Sequence, residues 1–272
     1  MDVKTIFATD LHGDLKQYGE LARLIRRHDI ELLLLGGDLA AFSREAQEQI
    51  RFAENAFADF VRSISIPVML IPGNIEWTAT ARYYEELARS LPISILSLTP
   101  LTFRQFPISG YPFCNPTPFR RKDFERRDRA SDSYEHAASV LLSDESGILA
   151  EQDRAYLNRL PSIEDDLASL TAGGIWVMHA PPYGTKLDML DSGGHAGSRA
   201  IRRCIEELQP MLTLHGHIHE SPYKTGEWAD RIGDTICINP GRGESLHAVL
   251  LTFQNERLES AEHIVFGKAI FA

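Results

Sequence analysis

The sequence predicts an α/β protein with mixed sheets, and three observations carry that expectation. In the first third, short apolar runs alternate with helical patterns, and the second and third runs close on Gly36-Gly37 and Pro72-Gly73. Runs that apolar, separated by helices, belong to strands buried on both faces of a mostly parallel sheet. The last third carries two apolar runs joined at Gln254-Asn255-Glu256, a hairpin signal that makes the tail antiparallel. The 272 residues are 43% hydrophobic and 24% charged, a globular composition. That length suits one large domain over 1–272 that needs no disulfide staples.

In chain order, residues 3–9 form the first strand. Leu15, Tyr18, Ala22 and Ile25 then recur at helical spacing, with Asp14 as N-cap and Gln17 as its reciprocal partner. Residues 31–35 make the second strand. Ala46, Ile50, Ala53, Phe57, Phe60 and Ile64 step by three and four along a long amphipathic helix opened by Ser43. Residues 67–71 are the third strand. From about 110 to 132 proline and arginine crowd together with neither period, which predicts a long lid-like insertion. Helices are expected over about 133–144 and 150–160, and a buried strand over 175–178. Ser198 then caps a helix carrying Ile201, Ile205 and Leu208, and strands follow at 211–214, 235–238, 245–252 and 258–266.

Charge narrows the function classes. Lys plus Arg is 28 against 38 for Asp plus Glu, a net charge of −10. A surface that negative repels polyphosphate backbones, which argues against long nucleic acid but not against a small phosphorylated substrate held by a metal. Cys114, Cys204 and Cys237 form no CxxC pair, so neither a disulfide framework nor a cysteine zinc site is expected. Buried free thiols fit a reducing compartment. The first residues carry no signal-peptide pattern, and no apolar stretch approaches the roughly 18 residues of a membrane span. The expectation is a soluble, cytoplasmic protein.

Five polar clusters follow predicted strands: Asp10-Leu11-His12, Gly37-Asp38, Gly73-Asn74, His179, and Gly216-His217-Ile218-His219. In α/β proteins the loops at that edge converge on ligands. If the backbone is extended there, residues i and i+2 point the same way, so Asp10 with His12, and His217 with His219, can each grip one ion. The adjoining glycines allow sharp turns close to it. Two Asp, several His and an Asn make a mixed oxygen and nitrogen set, suited to Mn, Fe, Zn or Ni rather than to a pure Ca or Mg cage. Any one of these clusters alone is common; the five in this order, each after an apolar run, are specific.

Taken together they resemble the calcineurin-like metallophosphoesterase superfamily, whose pattern is DxH, GD, GNH(D/E), H and GHxH, from residue 10 to residue 219. The resemblance implies two mixed β-sheets in a sandwich between helices, with a dinuclear centre at one edge. One divalent ion would be held by Asp10, His12 and His219, the other by Asn74, His179 and His217, with Asp38 bridging. Manganese is the favoured occupant, with Fe, Zn, Ni or Mg as alternatives. Two ions sharing a carboxylate acidify a bridging water, and the resulting hydroxide attacks phosphorus in line.

One position departs from the pattern. Gly73-Asn74-Ile75-Glu76 has isoleucine where the superfamily carries the histidine that faces the leaving group. Loss of a general acid costs about 10²–10⁴-fold in rate, most of all with poor leaving groups. That shifts the expected activity toward a phosphodiesterase, with Asp38 and Asn74 at its catalytic centre. A phosphomonoesterase or protein phosphatase, and a non-catalytic metal-binding scaffold, are the alternatives.

Other residues carry two readings each. His195 is a candidate substitute for the missing histidine, or an exposed loop residue. His215 either supports the ligands or lies at the surface. Glu76 is expected as a solvated helix-start residue. Arg120, Arg121, Lys122, Arg126, Arg127 and Arg129 would grip a substrate phosphate or form a solvated helix face paired with Asp123, Glu125 and Asp128. Asn239-Pro240-Gly241-Arg242 is a turn. His28, His136, His247 and His263 lack ligand spacing.

Overall fold

The four leucines Leu32–Leu35 are all buried, and a strand with no polar face must be covered on both sides. In the computed structural model, which describes residues 2–135 and 138–268, two sheets packed face to face meet that requirement. In the first sheet β1 (Val3–Ala8), β2 (Leu32–Leu35), β3 (Val68–Leu70) and β4 (Ile93–Ile95) run parallel in that order. The second sheet begins with β5 (Leu101–Phe103) and β6 (Phe106–Tyr111). A separate ribbon of β7 (Ser139–Ser143) and β8 (Leu149–Asp153) precedes β9 (Ile175–Met178) and β10 (Leu212–Leu214). With β11 (Ala229–Ile232) and β12 (Thr235–Ile238) the second sheet has six strands ordered β11-β12-β10-β9-β6-β5. Only its edges are antiparallel. The chain then returns to the first sheet, where β13 (Ala248–Gln254) pairs antiparallel with β1 and leads on to β14 (Arg257–His263) and β15 (Gly267–Lys268).

The period-2 alternation of each strand divides its side chains between two cores. Phe7, Leu34, Met69 and Val249 face Ile108, Val177, Leu214 and Ile238 between the sheets. Ile6, Leu33, Leu35 and Val68 face outward, beneath α1 (Leu15–Arg27), the helix pair α2 (Ala46–Phe52) and α3 (Ala58–Ile64), and α4 (Thr78–Leu87). Trp176, Met178 and Cys237 face α5 (Ile163–Leu167) and α6 (Arg199–Leu208). A short α7 (Ser221–Thr225) follows β10. The result is the four-layer sandwich of helix, sheet, sheet and helix that the resemblance implied. The three cysteines are buried and unpaired. No helix among the described residues is long and apolar enough to cross a membrane.

Several local expectations change. Asp14 caps α1, its carboxylate accepting from Lys16 N and Gln17 N, but the Gln17 amide reaches across to Gly243 O rather than back to the cap. Ser43 lies two residues before the cap position of α2 and bonds Glu45 N and the Glu48 carboxylate instead. The helical period over 46–64 holds, with a π-turn at Ala53–Phe57 joining α2 to α3. The helix expected over 133–144 is replaced by β7, apart from residues 136 and 137, with His136, which lie outside the described residues. Segment 150–160 gives β8 and a single 3₁₀ stretch, Arg154–Arg159. Asn255 and Glu256 both adopt positive φ, as a two-residue hairpin loop requires.

Candidate metal centre

All five polar clusters leave the C-terminal ends of parallel strands, Asp10, Asp38 and Asn74 from the first sheet and His179, His217 and His219 from the second. The two sheets present those ends at a shared edge, and the side chains meet there. Asp10, His12, Asp38 and His219 bring one donor atom each within 4.8 Å of one another. His12 Nε2 faces His219 Nε2 at 3.2 Å, and His219 Nε2 lies 3.2 Å from Asp10 Oδ1. Beside this group, Asn74 Oδ1 stands 3.0 Å from His179 Nε2 and 2.9 Å from His217 Nδ1. His179 Nε2 is 3.5 Å from Asp38 Oδ1, which puts Asp38 against both groups. Ring nitrogens and carboxylate oxygens that converge this closely fit a pair of divalent cations, and the mixed donor set fits a transition metal.

The backbone achieves this differently from an extended segment. Asp10, His12, Asp38 and His217 have φ of 55°, 47°, 52° and 67°, all left-handed. Non-glycine residues held there are costly and cluster at functional sites. The i, i+2 argument from extended backbone is therefore corrected: a left-handed turn brings Asp10 and His12 into one group, whereas His217 and His219 part, His219 joining Asp10 and His12 and His217 turning to Asn74. Two glycines serve close approach rather than turning. A Cβ on Gly73 would overlap the Asp38 carboxylate, and one on Gly216 would overlap Thr9 and Asp10.

A second set of contacts fixes the donors. Thr9 Oγ1 donates to Asp10 Oδ2 at 2.9 Å, and His217 N donates to the same carboxylate. His179 Nδ1 faces Gly36 O at 2.9 Å, which turns Nε2 toward the centre. The Glu76 carboxylate is fully buried and accepts from Asp38 N, Leu39 N, Ala40 N and Gly73 N. The expectation of a solvated Glu76 is thus overturned; it binds together the two loops that carry Asp38 and Asn74. The signal was present in the GNH(D/E) pattern, whose fourth position is an acid. Gln49, which no motif singles out, ties the same turn to α2 through Ile75 O and Trp77 N.

Burial raises the Asp38 carboxyl, but His179, bonded to it, and His12 outweigh that and hold it well below the usual carboxylate range. Burial and Asp38 push Glu76 up to about 7 despite its backbone donors. Burial pulls His179 down, yet Asp38 and Asp10 raise it to about 9. Burial drives His217 down to about 3.

The remaining candidates separate. His215 is buried between Ala180 O and Thr213 Oγ1, both within hydrogen-bond distance of its ring nitrogens, which overturns the surface reading. His195 Nδ1 is 2.8 Å from the buried Asp188 carboxylate; its neighbour Ala196 lines the hollow over the centre and His195 itself does not. The basic run is not a helix face. Lys122 and Glu125 form a buried pair at 2.7 Å, Arg126 stacks on Phe113, and Arg121 stacks on Trp77 and donates to Ile75 O. Arg120 remains exposed, paired with Glu151. The Asn239–Arg242 turn is held by His247 Nδ1 and His263 Nε2, which both point at Pro240 O.

Two hollows meet over the centre. One, of about 580 Å³, is lined by His12, Asp38, Asn74, His217 and His219 on one side and by Asn115–Phe119 of the insertion on the other. The second, of about 470 Å³, lies between Phe42–Arg44 and the Phe119–Arg121 stretch. They share Phe42, Asn74, Ile75 and Phe119.

Comparison with known proteins agrees with this architecture. A family model described as calcineurin-like phosphoesterase matches residues 3–221. An uncharacterized protein of Methanocaldococcus jannaschii, MJ1162, is 24% identical over 246 residues, covering 88% of each chain. TT1561 of Thermus thermophilus shares the fold with a TM-score of 0.59 at 14% identity, over 97% of this chain and 99% of that one. A dimetal phosphatase from Danio rerio does so with a TM-score of 0.50 at 9% identity, over 98% and 96%.

Proposed function

The chain belongs to the calcineurin-like phosphoesterase family, and from that membership we propose that it hydrolyses a phosphodiester with the help of two divalent ions. Asp10, His12 and His219 are assigned to one ion, Asn74, His179 and His217 to the other, and Asp38 to both. Manganese is the favoured occupant. Bound ions would supply the positive charge that orients a phosphoryl group and acidifies water. The residues then divide the work. Asp38 offers a carboxylate kept ionised by His179 and His12. Asn74 offers a neutral oxygen, so the centre keeps net positive charge for the substrate. Glu76, bonded to both ligand loops, positions Asp38 and Asn74 without touching the reacting atoms.

The observation that carries the diester assignment is the pair of hollows meeting at Asn74 and Ile75. A diester has two ester substituents, one for each hollow, and a monoester has one. Among the described residues, the lining of the first hollow holds no lysine or arginine, which suits a monoanionic diester better than a dianionic monoester. Ile75 presents aliphatic surface where a proton donor would favour poor leaving groups. His195, held by Asp188 next to Ala196 of the first hollow's lining but not itself part of it, is proposed as the donor that takes over that task by turning toward the substrate. A small phosphorylated partner and a cytoplasmic setting belong to the same proposal, supported by the acidic surface and the free buried cysteines.

The test compares Mn²⁺-loaded protein on bis(p-nitrophenyl) phosphate and p-nitrophenyl phosphate. A kcat/KM at least tenfold higher for the diester is expected. A monoester preference would overturn the assignment, and no turnover in a single-turnover assay would leave the non-catalytic reading.

A further inference from the structure

We propose that Asn239 is a positioning residue of the metal centre, whose side-chain amide holds the loop Gly216–His219 in the strained form that aims His217 and His219. The inference rests on the assignment of those two histidines as ligands, and not on which ester is hydrolysed.

The loop needs such a hold. His217 has φ of 67°, and Ile218 N donates across it to Gly216 O at 2.7 Å. That is a γ-turn of the positive-φ kind, which is rare and strained. Strain of this sort persists only where the surroundings over-determine it. The turn has work to do, because it sends neighbouring histidines to different partners. His217 Nδ1 lies 2.9 Å from Asn74 Oδ1, while His219 Nε2 faces Asp10 and His12.

The strand β12 runs parallel to β10, so its C-terminal end opens at the same edge as the loop that leaves β10. Asn239 is the first residue past that end and is fully buried. Its Nδ2 stands 3.3 Å from Gly216 O and 3.0 Å from Ile218 O, the carbonyls of the residues before and after His217. It also donates to Leu187 O at 2.9 Å. Leu187 belongs to a turn braced by the buried Asp188 carboxylate, which accepts from Gly184 N, Thr185 N and Gly197 N. One amide thus fastens a strained loop to a braced one. Three carbonyls need the NH₂ end, and Gly241 N donates to Oδ1 at 2.9 Å. These partners fix which way the amide faces and set it behind the ligands rather than among them.

Asn239 is itself anchored. Its backbone N–H donates to Trp228 O, and Pro240 O receives both His247 and His263. Arg242 N returns to His219 O at 3.1 Å, and a Cβ on Gly241 would overlap that oxygen.

The test is calorimetric titration of EDTA-treated protein with Mn²⁺. Asn239→Ala removes the whole grip. Asn239→Asp keeps the shape and the acceptor for Gly241 N but sets a second oxygen against three carbonyls, and it carries the comparison if Asn239→Ala does not fold. We expect both to bind Mn²⁺ about 10–100-fold more weakly, as loss of a residue that orients a metal ligand does. Thr235→Ala is the control, since Thr235 Oγ1 is equally buried and bonds Pro210 O at the opposite end of β12. It should cost stability in urea and leave Mn²⁺ affinity within about twofold of wild type. Wild-type affinity in the Asn239 variants, or equal weakening by Thr235→Ala, overturns the proposal. His217→Ala separates the failures. If it also binds Mn²⁺ like wild type, the ligand assignment falls and the proposal with it; if it loses metal while the Asn239 variants keep it, Asn239 alone loses its role. Neither readout uses hydrolysis, so the phosphodiesterase reading stands or falls separately.

Discussion

The carboxylate of Glu76 accepts the backbone N–H of Asp38 at 3.0 Å. The same carboxylate takes three further backbone N–H groups, so one buried side chain satisfies donors from both loops of the first-sheet half of the centre. Each buried donor left without an acceptor costs about 1–3 kcal/mol. Glu76→Ala is therefore expected to destabilise the protein by at least about 3 kcal/mol and to weaken metal binding roughly 10–100-fold. Glu76→Gln, which keeps one of the two acceptor oxygens and turns the other into a donor, should recover at most a small part of both. Urea denaturation and metal titration of the variants measure the two effects.

Asp38→Ala removes the carboxylate that both donor groups approach. Loss of at least one metal equivalent by elemental analysis is expected, together with nearly all hydrolysis, while circular dichroism stays unchanged. Full metal content at the wild-type rate would contradict the bridging assignment.

The pH dependence of stability separates the metal-free and loaded forms. His179 is raised to about 9 in the fold from an ordinary 6.5, against burial, by Asp38 and Asp10. Its stabilising contribution is fully present below about pH 6.5 and is lost as pH rises through 9. Glu76, raised to about 7 from 4.5, acts in the same direction lower down. The Tm of EDTA-treated protein should therefore fall as pH rises from about 6.5 to 8. His179→Asn should flatten that slope. Mn²⁺ should raise Tm more at the upper end, since metal competes with the His179 proton.

Ile75→His restores an imidazole beside Asn74. Ile75 is nearly buried, and its carbonyl is held by Gln49 and Arg121, so the backbone is anchored independently of the side chain. We expect a gain of severalfold with poor leaving groups and little change with activated aryl diesters. The companion variant His195→Ala should slow poor leaving groups about 10²-fold and spare activated ones. Equal effects on both substrate types would remove His195 as the donor.

The parts legible in the sequence were those written locally. Apolar runs ending in Gly36-Gly37 and Pro72-Gly73 mark strand ends, and the ligand types that follow them mark the centre. Geometry set by distant partners was not legible. The left-handed backbone at Asp10, His12 and His217 comes from loops anchored to one another, as in His12 N donating to Asp38 O. Within the segment read as a helix over 133–144, Ser139–Ser143 is a ribbon strand pinned by Ser143 to Asp123. Arg121 resembled one charge among several, and only its stack on Trp77 distinguishes it.

The division of donors between the two sheets has a consequence for biosynthesis. Asp10, His12, Asp38 and Asn74 emerge early, and His179 follows Asn74 by 105 residues. At a translation rate of about 5–20 residues per second, the gap between those two lasts roughly 5–20 s. During that interval the first-sheet ligands stand without their histidine partners, and neither cation can gain its full coordination. On the proposed assignment, metal would be acquired late, after the second sheet has docked, and the occupants would reflect whichever cations surround the finished chain.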